Sequence, residues 1–103
     1  MQIIHAPAFT ASRAWEARDI AVMDGTSVRL HWTDRPYHWH VNDGQEVFVV
    51  LDGAVDMHYR NATGEHVVRL HVGDIFHAEA GDAHVAHPRG AARILVIERA
   101  GSA

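Results

Sequence analysis

Short runs of β-branched and aromatic residues, each closed by a turn signal, dominate the chain from residue 20 onward. Ile20–Met23 and Val28–Trp32 flank "DGTS", whose Asp24-Gly25 supplies turn residues, so the pattern predicts a β-hairpin. Glu46–Leu51 (EVFVVL) stops at Asp52-Gly53, and Ala54–Tyr59 follows as its hairpin partner. Asn61–Gly64 predicts a second turn leading into His66–His71, a strand that Val72-Gly73-Asp74 breaks. Ile75–Ala78, Ala83–His87 and Arg93–Glu98 complete the set. Helical signal is weak: residues 10–19 (TASRAWEARD) suit either one turn capped by Thr10 or Ser12, or a strand.

So many short strands in 103 residues must close on themselves or stack as two sheets to avoid open edges. The expected fold is therefore all-β, with residues 1–103 as a single domain. Alternation assigns Val28, Leu30, Phe48, Val50, Val55 and Met57 to the interior. In Glu46–Leu51 both faces are apolar, which predicts an interior strand with Glu46 at its rim. A carboxylate in that position needs a metal ion or an arginine, Arg35 or Arg93.

Composition narrows the chemistry. There is no cysteine, and all nine basic residues are arginine, so thiolate and lysine Schiff-base chemistry are excluded. The three serines, Ser12, Ser27 and Ser102, lie in no nucleophile motif. Ten histidines and thirteen acidic residues remain, a composition suited to imidazole–carboxylate metal sites. A net charge of −4 without a basic cluster argues against nucleic acid as a partner. No apolar run approaches the ~20 residues that span a bilayer, so no membrane partner is expected. The N-terminus shows no secretory pattern, and the expected location is cytoplasmic.

One stretch concentrates the candidate ligands: "HWHVNDGQE", residues 38–46. If it is extended, His38 and His40 share a face and Trp39 takes the other. Glu46 opens the next strand after the turn NDGQ. Far along the chain, His84 follows the glycine turn at Gly81 and is the natural remote ligand. The other histidines, including His31, His58, His66, His71 and His87, read as solvated, and His77 fits either role. Trp32, Trp39 and Phe48 read as packing residues, with substrate stacking as the functional alternative.

In this order, His38-x-His40, Glu46 and Gly53, then Gly73, Gly81 and His84, the residues resemble the two conserved motifs of the cupins. The nineteen residues between Gly53 and Gly73, and the tail ARILVIERAG, are similar to small bacterial single-domain cupins, the mannose-6-phosphate isomerase-like kind. The resemblance covers roughly residues 28–101, and residues 1–19 carry no recognisable signal. Five residues separate His40 from Glu46, one or two more than the family usually has, so a bulged loop is expected there.

The resemblance implies a conical jelly-roll β-barrel, a double-stranded β-helix. It also implies one divalent transition metal (Zn, Mn, Fe or Ni) held by His38, His40, Glu46 and His84. A homodimer paired through sheet edges is the family expectation. The function so implied is a metal-dependent enzyme, dioxygenase- or isomerase-like, acting on a small molecule. The alternative is a non-catalytic module that binds a small molecule or metal, such as a sensor. No arginine cluster suggests a phosphate clamp, which favours a small, partly apolar ligand over a sugar phosphate.

Overall fold

The computed structural model describes residues 1–102. Its strands are β1 (Glu16–Met23), β2 (Thr26–Thr33), β3 (His40–Val41), β4 (Glu46–Asp52), β5 (Val55–Asn61), β6 (Gly64–Leu70), β7 (Ile75–Ala78), β8 (Ala83–Pro88) and β9 (Ala92–Arg99). They form a five-stranded sheet ordered β1-β2-β9-β4-β7 and a four-stranded sheet ordered β3-β8-β5-β6. Every pairing is antiparallel, and the two sheets make the jelly roll expected from the sequence.

The hairpin at Asp24-Gly25 forms as predicted. Both turn residues have positive φ, 51° and 78°, as the tight turn matching strand twist requires. Gly53 is constrained more strongly. Its φ is +77°, and a Cβ there would lie 2.5 Å from the Ala91 carbonyl oxygen. The ambiguous segment 10–19 resolves as a bend followed by strand, with β1 starting at Glu16, and a 3-10 turn lies earlier, at Ala6–Ala8.

The core lies between the sheets. Phe48, Val50, Val55, Met57, Ala86, Ile94 and Val96 pack there as one cluster. Two predicted interior positions are corrected by strand register. On β9, Ile94 and Val96 face the core, so Leu95 and Ile97 face away from it. Leu30 pairs with Leu95 and Val28 with Ile97, which puts both on the outer face of the five-stranded sheet. Leu30 is 1% exposed there yet lies outside the core cluster. Alternation identified the apolar side of β2 but could not say which side faced the barrel.

The inner side of β2 is polar instead: Ser27, Arg29, His31 and Thr33. The N-terminal segment is fastened to the sheet by Arg93. Its Nε donates to the Phe9 carbonyl (2.8 Å), one terminal nitrogen to Thr10 (3.2 Å) and the other to Asp52 (2.8 Å).

Candidate metal centre

Strand pairing assembles the site. His40 on β3 sits opposite His84 on β8, and Glu46 is the first residue of β4. The Nε2 atoms of His84 and His40 lie 3.3 and 3.9 Å from the same Glu46 oxygen, Oε1. Asn42 Nδ2 donates to that oxygen at 3.0 Å. One donor atom from each of His40, Glu46 and His84 falls within 4.8 Å of the other two. Glu46 is 6% exposed and His84 2%.

The long loop before Glu46 is tied down. Asn42 N–H donates to the Asp82 carbonyl (2.9 Å), and the Asn42 carbonyl accepts from Gly81 N–H (2.8 Å). The loop is thus bonded to the glycine turn that precedes His84, and both ligand-bearing segments share one set of hydrogen bonds.

His38, expected as a fourth ligand, is not brought into this group. It is exposed, its ring stacked on Tyr37 at 4.0 Å and centred 6.3 Å from the His40 ring. Residues 36–39 are not strand, so the shared face inferred from the His-x-His spacing does not arise. Tyr37 N–H instead bonds the Ala86 carbonyl at 3.2 Å.

The charges favour a cation. Burial pushes the Glu46 pKa up, but His40, His84 and Asn42 outweigh it and hold the carboxyl well below its usual range. Glu46 in turn holds the His40 imidazole above its ordinary value. Among the described residues no arginine pairs with Glu46: Arg93 binds Asp52, and Arg35 lies near Asp34. Nδ1 of His40, Nδ1 of His84 and Oδ1 of Asn42 are buried with no hydrogen-bond partner among the described residues. A buried anion with two convergent imidazole nitrogens and no fixed cation fits a divalent ion.

The group borders a cavity of about 200 Å³, whose other walls include Trp15, Arg29, His31, Tyr37, Phe48 and Glu98. Of these walls, only Phe48 stood out in the sequence as a candidate for ligand contact. His31, read as solvated, lines the cavity, with Nδ1 3.0 Å from the Trp15 carbonyl oxygen. Burial lowers its pKa. Glu98 is the register partner of Glu46, and its pKa is pushed up to about 7, by burial first and then by the Glu46 charge. Alternation along Ala92, Ile94 and Val96 could have placed Glu98 inside. Of the remaining histidines, exposed His77 bonds Gln45 (2.9 Å), and His58 and His87 meet ring to ring at 4.2 Å on the four-stranded sheet.

Residues 22–98 match the Cupin_2 family, described as a cupin domain. The chain belongs to the cupins. No curated protein sequence matches this cupin significantly. Solved structures share its fold. A cupin-2 domain containing protein from Shewanella frigidimarina superposes with TM-score 0.76 at 24% identity, covering 86% of this chain and 84% of that one. A cupin superfamily protein from Desulfitobacterium hafniense gives TM-score 0.73 at 16% identity, over 91% and 85% of the two chains. A hydroquinone 1,2-dioxygenase in complex with Fe3+ gives TM-score 0.77 at 15% identity, covering 87% of this cupin but 29% of the larger chain. Among the described residues, no helix is long and apolar enough to cross a membrane.

Proposed function

We propose that this cupin is a metal-dependent enzyme in which His40, Glu46 and His84 hold one divalent transition ion and the adjoining cavity takes a small molecule. The observation that carries the reading is the convergence of two imidazole Nε2 atoms on one buried Glu46 oxygen beside an open cavity. Two histidines and one carboxylate are the donor set of non-haem iron(II) oxygenases, which favours Fe²⁺ and oxygenase chemistry over isomerisation. The fold similarity to an iron-containing hydroquinone dioxygenase agrees with that direction. When bound, the ion would supply open coordination positions for a substrate oxygen or O₂.

The protein's own groups divide the remaining work. Asn42 fixes the Glu46 carboxylate through its 3.0 Å hydrogen bond. Glu98, inside the cavity with a pKa near 7, can accept or release a proton at its carboxyl oxygen. Phe48 and Val96 give the cavity buried apolar lining. His38 can add a fourth donor only by leaving the face of Tyr37.

Metal analysis of purified protein is the test. About one ion per chain is expected in wild type and a large loss in His84→Ala; equal, near-zero content in both would sink the site. Anaerobic Fe²⁺ loading followed by O₂ uptake with small diphenols and diketones then separates enzyme from binding module, since ligand binding without uptake supports the latter. The protein would act in the cytoplasm as a homodimer. The outer face of the five-stranded sheet, with half-buried Val28, Val47, Val49, Leu95 and Ile97, offers it an apolar surface. Light scattering on the purified chain reads that state.

A further inference from the structure

The most strained residue near the cavity comes from the segment with no recognisable sequence signal. Trp15 has φ of 64°, a left-handed conformation that bulky side chains rarely adopt. Three attachments hold it there. His31 Nδ1 lies 3.0 Å from the Trp15 carbonyl oxygen, the indole N–H donates to the Arg35 carbonyl (2.9 Å), and Glu16 N–H donates to the Arg13 carbonyl (3.3 Å), closing the turn that contains Trp15. Arg35 is itself fixed by buried Thr33, whose hydroxyl donates to the same carbonyl at 2.8 Å. The indole therefore cannot turn away from its position without breaking a hydrogen bond.

That position is a wall of the cavity. The Trp15 ring meets Tyr37 at 5.3 Å and 65°, and Tyr37 meets His40 at 5.6 Å and 87°. The wall is thus one aromatic ring removed from a metal ligand. Phe48 and His31 add further flat surfaces to the same space. The cavity measures about 200 Å³. A cavity of roughly 150 Å³ is enough to admit benzene. Arg29, the cavity's guanidinium, has its Nε bonded to Asp19 at 2.8 Å. Size, flat walls and a polar end together describe a ligand with one planar ring and oxygen substituents directed at the metal group.

We infer that Trp15 is a specificity-determining residue that presents its indole to a single-ring, oxygen-bearing planar ligand. This rests on the metal-centre reading for the ligand's oxygens, while the stacking contact stands on the wall alone. Aromatic packing explains only part of Trp15, because the ring touches the core while two hydrogen bonds of its own, and the turn bond that spans it, hold its backbone at positive φ. Backbone strain that the surroundings maintain in this way is a mark of ligand sites.

Two chelators test it on Zn²⁺-loaded protein: 4-nitrocatechol, which has a ring, and acetohydroxamate, which has none. Trp15→Leu is expected to weaken 4-nitrocatechol at least tenfold and leave acetohydroxamate within threefold, whereas Trp15→Phe keeps both within threefold. In wild-type protein the Trp15 indole N–H resonance should shift saturably with 4-nitrocatechol while those of Trp32 and Trp39 stay in place. That readout serves even if Trp15→Leu fails to fold. Equal weakening of both chelators by Trp15→Leu, or an unmoved Trp15 resonance, overturns the inference. Should the protein bind no metal, 4-nitrophenol replaces the chelators. Saturable binding at least tenfold weaker in Trp15→Leu supports the wall, and equal or absent binding overturns it, separately from the metal reading.

Discussion

Replacing Glu98 by glutamine should stabilise the metal-free protein at alkaline pH and leave it little changed in acid. The folded-state pKa of Glu98 is pushed from 4.5 to about 7 by burial and by the charge of Glu46. A carboxyl with a raised pKa binds protons more tightly folded than unfolded, so stability falls as pH rises between those two values and then levels off. At ~1.36 kcal/mol per pKa unit, the ceiling on that loss is about 3.4 kcal/mol. Glu98 is only half-buried, and solvent screening reduces the figure to about 1–1.5 kcal/mol. That corresponds to roughly 4–10 °C in Tm for a domain of this size. Thermal melts of chelator-treated wild type and Glu98→Gln, at pH 8 and at about pH 4.5, are the assay. The two proteins should separate at pH 8 and converge in acid. Parallel pH profiles would refute the reasoning, because Glu98 would then titrate as a solvated group. Saturating Zn²⁺ should shrink the separation, since a cation beside Glu46 removes part of the repulsion that raises Glu98.

Five further outcomes follow from the same structure. His38→Ala should retain most of the bound metal that His84→Ala loses, as read by elemental analysis, because His38 stands outside the convergent group. As pH is lowered, metal affinity should begin to fall already above the ordinary imidazole value of 6.5, since Glu46 raises the His40 pKa and protons then compete for the ligand sooner. Gly53→Ala should lose about 2 kcal/mol or more in chemical denaturation, through its positive φ and the contact with the Ala91 carbonyl; Met57→Ala, fully buried, should lose about 2–5 kcal/mol in the same assay. Arg93→Met should expose the N-terminal segment to limited proteolysis well before the barrel is cut, because its anchors at Phe9 and Thr10 are gone.

The strands were legible because their turn chemistry is local. Asp24-Gly25, Asp52-Gly53 and Gly73 each end a strand where the backbone demands it. The facing of β2 was not legible, since Val28 and Leu30 alternate correctly but only pairing with Leu95 and Ile97 shows which way they point. The site divided in the same way. The resemblance to the cupin motifs implied His38, His40, Glu46 and His84, and strand pairing brings the last three together. The His38–His40 relation depended on an extended segment, and residues 36–39 are not strand. Glu98 lay one step along an alternation already read for Ile94 and Val96. Trp15 could not be found by pattern at all, because its place depends on hydrogen bonds to residues up to twenty positions away.

The brevity of β3 has a consequence for ion exchange. His40 sits on a strand of two residues, the shortest in the fold, held to β8 and by the reciprocal bonds of Asn42 with Asp82 and Gly81. His84 and Glu46, by contrast, belong to strands of six and seven residues. Local opening of a short element costs far less than global unfolding. In metal-loaded protein the residence time of an ion would therefore be set by how often β3 frays, and the ion would in turn fasten the barrel by crosslinking its weakest strand to two of its stronger ones.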